Sequence, residues 1–251
     1  MPVPVINIEQ MREWERANWA AGRTETEVIR RVGAVLARRA LELTRPDDAI
    51  LILAGKGHNG DDARAAQDFL NERRVEVLDV VSPESNLPEL EQALAQKPAL
   101  IIDGLFGIGL NRPLTDDWKK FIGTVNRSGI PILAVDVPSG LNADTGEPTT
   151  PGAAIEAAVT LTIGAPKTGL LAPNAWAFVG QLEVAGDVGL TSCPHASGLN
   201  WTLPEDFRNF LPRRSVSGHK GTFGHLGIVA GSLKSGVHKF TITACNCAAT
   251  A

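Results

Sequence analysis

Three segments of the 251-residue chain share one design, a short apolar run that ends in a loop of glycines and polar side chains. They are ILILA-GKGHNGDD (Ile50 to Asp62), LIID-GLFGIGLNRP (Leu100 to Pro113) and ILAVD-VPSGLNADTG (Ile132 to Gly146). In the first, the glycines between Ala54 and Asp62 let backbone N–H groups come close to a phosphate, and a following helix would aim its positive end at the same group. The loop has neither the GxxxxGK[ST] spacing of a P-loop nor the GxGxxG of a dinucleotide fingerprint. Asp103 and Asp136 occupy equivalent places at the ends of their runs. A carboxylate there can act as acid or base, hold a ribose hydroxyl or bind a cation; taken singly, either also reads as a cap for loop N–H groups. Asn59, Asp103 and Ser139 offer an amide, a carboxylate and a hydroxyl, the oxygen donors that hard cations take. Nothing in the Cys and His spacing suggests zinc. His58 reads equally as a donor that titrates near neutrality and as a solvated side chain. Arg112 could fork onto a phosphate and Lys167 could act as a point charge, with surface placement the plainer alternative for both.

The elements that must hold these loops follow from the apolar pattern. Residues Ile8 to Leu43 read as helix, with Val28, Ile29, Val32, Val35 and Leu36 at helical spacing. Thr24 is placed to cap a second helix there, with Glu27 closing a capping box. Runs at 49–54, 75–81, 99–103 and 130–135 read as strands, and 158–163 and 180–185 as closing strands. Between them 62–74, 87–96 and 116–128 read as helices. This βαβ alternation requires crossover helices and a mostly parallel sheet, and loops at the carboxyl ends of its strands gather on one edge. Residues 191–212 read as a linker or peripheral cover, 218–232 as a glycine-rich turn leading to a strand at 226–230, and 233–251 shows no pattern.

Bulk properties bound the function. The chain is 43% hydrophobic with a net charge of −4, which lacks the basic footprint of a nucleic-acid binder. Its three cysteines, Cys193, Cys245 and Cys247, are an odd and clustered set, a poor basis for a disulfide framework. No signal-like start and no run of about 18 apolar residues is present, so the chain reads as cytoplasmic, with no membrane partner. A dinucleotide-dependent dehydrogenase is disfavoured, because no GxGxxG is followed by an acidic residue about 20 positions on.

Taken together, the loops resemble the NAD(P)H-hydrate epimerase family, the YjeF N-terminal domain. The family pattern G-x-G-N-N-G-G-D-G is similar to Gly55–Ala63, with His58 for the first Asn and Asp61 for a Gly. D-x-L-F-G-T-G-L-x-R-P matches Asp103 to Pro113 apart from Ile108, V-D-I-P-S-G-L-D-A-D-T-G matches Val135 to Gly146 with Val137 and Asn142 changed, and T-x-G-A-P-K-x-G-L-L matches Thr162 to Leu171. In the helical region the family's L-M-E-x-A-G corresponds to Val28–Gly33, with Arg30 at the Glu. The resemblance implies an α/β Rossmann-like three-layer sandwich with a mostly parallel central sheet and N-terminal helices. It implies interconversion of the R and S epimers at C6 of hydrated NADH or NADPH, so that a dehydratase can restore the cofactor, and a homodimer. It implies potassium (K+) ligands at Asn59, Asp103 and Ser139. Substrate contacts would come from His58, Asn59, Gly60, Asp61 and Asp62, from Gly107, Ile108, Gly109, Leu110, Asn111, Arg112 and Pro113, and from Asp136, with Asp103 or Asp136 as the proton-shuttling carboxylate. A phosphate near Asp61 would be repelled, so Asp61 must point away from a substrate held in this manner. The alternative is a non-catalytic nucleotide-binding or interaction module of the same fold that lost turnover through Asp61 and His58.

HKGTFGHLGIVAGS (His219 to Ser232) resembles the opening strand of the ribokinase-like ADP/ATP-dependent NAD(P)H-hydrate dehydratase. The resemblance thus divides the chain into an epimerase domain at 1–211 and a truncated dehydratase fragment at 212–251. The purified chain is accordingly expected to show no nucleotide-dependent dehydration of hydrated NADPH, and restored NADPH in that assay would refute the expectation.

Overall fold

The computed structural model describes residues 2–207, 227–230 and 241–244. The chain forms two units, Met1–Leu203 and Pro204–Ala251. In the first, the apolar runs are strands whose side chains alternate between two buried layers, as the period of two requires. In β2 (Ala49–Ala54), Ile50, Ile52 and Ala54 join one layer, and Leu51 and Leu53 the other. The same division runs through β4 (Leu100–Gly104) and β5 (Ile132–Val135). One layer is closed by α2 (Glu25–Leu43) through Val32, Leu36, Ala37 and Ala40. The other is closed by α4 (Pro83–Ala95) and α5 (Asp116–Arg127), the latter through Phe121, Ile122 and Val125.

With β3 (Arg74–Asp79), β6 (Val159–Ile163) and β7 (Gln181–Ala185), the sheet runs in the order β3-β2-β4-β5-β6-β7, every neighbour parallel. The chain passes from β2 out to β3, then returns to β4 on the other side of β2. The switch point therefore lies between β2 and β4, where a crevice opens at the strands' carboxyl ends.

Helix starts differ from the expected bounds. The helix anticipated at 62–74 is α3 (His58–Ala65), continued by a 3-10 turn at Ala66–Phe69. Gly57, at φ +91, turns the chain so abruptly that the helix begins within the glycine loop itself. Helix α4 starts at Pro83, whose fixed φ suits a first helical position, and runs through Pro88. At the N-terminus, Asn7 and Gln10 make a full capping box for α1 (Ile8–Ala20). The box anticipated at Thr24 is half made: Glu27 N–H donates to Thr24 Oγ1 at 3.3 Å, while the Glu27 carboxylate turns to Arg31.

The segment read as cover contains β8 (Asn200–Trp201), which pairs antiparallel with β1 (Val3–Pro4). In the second unit β9 (Gly227–Ala230) falls where a strand was expected, and it pairs antiparallel with β10 (Thr241–Ala244), a strand in the stretch that showed no pattern. Cys245 and Cys247 lie outside the described residues. Among the described residues no helix is long and apolar enough to cross a membrane.

The edge that carries the loops is built on glycine contacts. A Cβ at Gly55 would lie 2.0 Å from the Leu105 carbonyl oxygen, and one at Gly60 would lie 2.0 Å from that of Gly55. Gly55→Ala is expected to destabilise the fold by about 1–3 kcal/mol through forced backbone displacement, whereas Gly186→Ala, with nothing within 4 Å of the added methyl, should cost nothing. Urea unfolding of the two variants against the parent checks this.

Candidate functional site

The three loops converge on the switch-point edge, where a cavity of 380 Å³ opens. His58, Asn59 and Asp62 of α3 line it, with Gly107, Ile108 and Gly109 after β4 and Asp136 after β5. Gly60, Asp61, Asp103, Arg112, Pro113 and Ser139 are not part of its wall. Leu110 and Asn111 line a neighbouring cavity that shares Arg12 and Ile108 with the first. The N-terminal helices supply a wall that the loop motifs did not reveal: Met11, Arg12, Glu15 and Trp19 from α1, and Glu25, Val28, Ile29 and Val32 from α2. The apolar stripe of α2 carried a signal, but it read only as helical spacing.

Asp136 is held in the left-handed region at φ +62, which is uncommon for a non-glycine residue. The surroundings fix it there. Its Oδ1 accepts from Lys167 Nζ, from Ile163 N–H at 2.9 Å and from Thr162 Oγ1 at 3.1 Å. Lys167 is fully buried and also donates to the Ile163 carbonyl at 2.9 Å. The surface reading of Lys167 is thereby corrected: it is the internal counter-ion of a carboxylate on the cavity wall.

Asp103 lies behind the wall with no exposed surface. Its oxygens accept from Ser139 Oγ at 2.6 Å, Ser139 N–H at 2.9 Å and Leu105 N–H at 3.2 Å, all uncharged donors. Burial pushes its carboxyl up to about 6 against the pull of those hydrogen bonds. Ser139 Oγ also accepts from Phe106 N–H, and Asn59 Nδ2 donates to the Phe106 carbonyl at 3.0 Å; among the described residues no group donates to Asn59 Oδ1. A buried carboxylate without a cationic partner, beside a free amide oxygen and a hydroxyl, is a donor set suited to a monovalent hard cation. No group of three or more His, Cys, Asp and Glu side chains among the described residues could hold a metal ion.

Asp61 points to Arg64 at 2.9 Å, and Arg64 also reaches Asp79 at 2.6 Å and the Gly55 carbonyl at 2.9 Å. The requirement that Asp61 face away from the site is met. His58 Nε2 lies 3.0 Å from Glu25, across the cavity mouth. Asp62, in contrast, is 6% exposed, and its buried Oδ1 has no hydrogen-bond partner among the described residues. Burial first, then Asp136, Asp61, Glu15 and Glu25, push its carboxyl up to about 8. Glu15 is raised as well, by burial and then by Asp136, with Lys167, His58 and Arg12 opposing.

Comparison with known proteins bears on this edge. The family described as YjeF-related protein N-terminus matches residues 81–169. The NAD(P)H-hydrate epimerase of Achromobacter xylosoxidans (strain A8) is 38% identical over 189 residues, covering 68% of this chain and 88% of that protein. The bifunctional NAD(P)H-hydrate repair enzyme Nnr of Coxiella burnetii is 30% identical over 249 residues; the match takes in 90% of this chain, which spans half the length of that protein. The crystal structure of yeast ynu0 superimposes with a TM-score of 0.54 at 21% identity over 66% of this chain and 82% of that one, a likeness of fold.

The buried ion pair generates a test of its own. Lys167→Met strands the Asp136 carboxylate and is expected to destabilise by about 3–5 kcal/mol. Adding Asp136→Asn should recover much of that loss, because the uncompensated charge goes with it. Denaturant unfolding of the single and double variants at one pH measures both.

Proposed function

The chain belongs to the NAD(P)H-hydrate epimerase family, and from that premise we propose that it interconverts the R and S epimers at C6 of hydrated NADH and NADPH. The observation that carries the reading is the cavity itself, where loops from separate strands place Asp136, with Lys167 behind it, opposite the N-terminal helices. C6 bears a hydroxyl beside the ring nitrogen. Loss of that hydroxyl leaves a cationic ring, and its return on either face scrambles the centre. The Asp136 carboxylate, fixed before the substrate arrives, suits stabilisation of that cation without reorganisation. Asp103 is enclosed and fully hydrogen-bonded, so of the two candidate carboxylates Asp136 is the one that contacts substrate.

The glycines after β4, Gly107 and Gly109, leave the wall open to a ring, and Val28, Ile29 and Val32 face it from α2. Apolar side chains there exclude water from the reacting centre. Potassium would be held by Asn59, Asp103 and Ser139, and when bound it would supply the positive charge that the buried Asp103 carboxylate lacks. The alternative of an inactive module rested on Asp61 and His58; the Asp61–Arg64 pair turns Asp61 away from the substrate and leaves only His58 to support it. We further propose that the product feeds a stereospecific dehydratase, in keeping with the bifunctional repair enzyme to which the chain is similar.

The test supplies the R epimer of hydrated NADPH with excess S-specific dehydratase and its nucleotide, and follows restored NADPH. The chain is expected to accelerate complete conversion, and to do so more strongly with potassium than with a bulky organic cation. No acceleration at any potassium concentration overturns the reading.

A further inference from the structure

We propose that Asp62 is a catalytic residue of this reaction, the carboxylic acid that protonates the departing C6 hydroxyl and takes the proton back when water returns. The assignment rests on the epimerase reading above and gives Asp62, there only a substrate contact, a catalytic role. Its basis is geometric. Asp62 lines the cavity from α3, is 6% exposed, and presents a buried Oδ1 that no group among the described residues satisfies. A buried polar oxygen without a partner is costly and rare. The cost is lifted if a ligand hydroxyl occupies the space in front of it.

The charges around Asp62 favour the neutral acid. Asp136 faces it from the end of β5 with Lys167 attached, Glu15 and Arg12 from α1, and Glu25 from α2 with His58 attached. Asp61 adjoins it with Arg64 attached, and Lys56 lies on the loop before α3. The carboxyl, pushed up to about 8, retains its proton at neutral pH. Of the cavity's carboxyl groups, Asp62 is thus the neutral acid and Asp136 the carboxylate paired with a buried lysine, and environments that set two carboxyl groups apart in this manner assign acid and electrostatic partner.

The step balances without an oxidant or reductant. The Asp62 O–H bond breaks and its proton goes to the C6 hydroxyl oxygen. The C6–O bond breaks, water leaves, and the lone pair of the ring nitrogen forms the C6=N1 bond of a cation that faces Asp136 and the new Asp62 carboxylate. Water then adds to the opposite face of C6, the nitrogen recovers its pair, and the surplus proton passes to Asp62, directly or through a second water.

The experiment compares the whole chain with Asp62→Asn, using the R epimer of hydrated NADPH and excess S-specific dehydratase. The variant keeps size and hydrogen-bonding capacity but cannot transfer a proton. Its kcat is expected to fall by about 100-fold or more with KM little changed, and the wild-type decline of kcat/KM as pH rises through about 8 should be absent from the residual activity. Because a carboxyl raised in the fold loses its stabilising protonation as pH rises through its folded value, the variant should also gain stability over the wild type on going from acid to alkaline pH. A variant that turns over at the wild-type rate overturns the proposal while leaving the epimerase reading intact. If the variant does not fold, a wild-type kcat/KM that stays flat through pH 8 overturns it equally. An inactive wild-type chain overturns the epimerase reading, and this assignment with it.

Discussion

Backbone proximity at the switch-point edge is the constraint on which the site depends. Gly55 lies against the Leu105 carbonyl, Gly60 lies against the Gly55 carbonyl, and a Cβ at Gly104 would meet Ala63 at 2.4 Å and the Asn59 carbonyl at 2.8 Å. These contacts let α3 settle directly onto the ends of β2 and β4. Only at that depth does Asp62 leave solvent, and only there can Asn59 reach the Phe106 carbonyl. A helix displaced by the width of a methyl group would return both side chains to water.

From that seating follows a division of labour among the acidic groups. Asp103 is enclosed by neutral donors and ties the loop after β4 to the loop after β5. Asp136 has its counter-ion inside the protein and its open side toward the cavity. Asp62 is all but buried, with an Oδ1 that no described group satisfies. Asp61 is turned outward by Arg64 and acts only through its charge on Asp62. One residue type thus occupies distinct electrostatic settings within a single edge, and burial, more than charge count, separates them.

Much of the architecture was legible because the strands are buried on both faces and read as apolar runs; AILILA at 49–54 needs no other explanation. The loops were legible as a group because parallel strands deliver their ends to one edge. Other features depend on contacts distant in sequence. Nothing local marks Lys167 as internal, since its partners are set by the conformation of Asp136, 31 positions away. The orphaned oxygen of Asp62 and the cavity-facing side of α1 arise only when α1, α2 and α3 meet around the cavity. Helix α3 began early because a cap with positive φ at Gly57 leaves no periodic trace. Strand β10 alternates Thr, Ile, Thr and Ala over too few residues to register.

The helix that completes the cavity is secured by the far end of its own unit. Val5 N–H bonds to the Leu199 carbonyl, Ile6 N–H to that of Pro166, Thr168 N–H to that of Ile6, and Thr191 N–H to Asn18 Oδ1, while β1 pairs with β8. During synthesis, then, α1 leaves the ribosome well before the segments that hold it, and its docking surface does not exist until residues up to Trp201 have followed. The loops and α3 can assemble vectorially, but the pocket cannot. Its closure waits on β8, and a helix with a buried Trp14 must remain in the meantime without its cover.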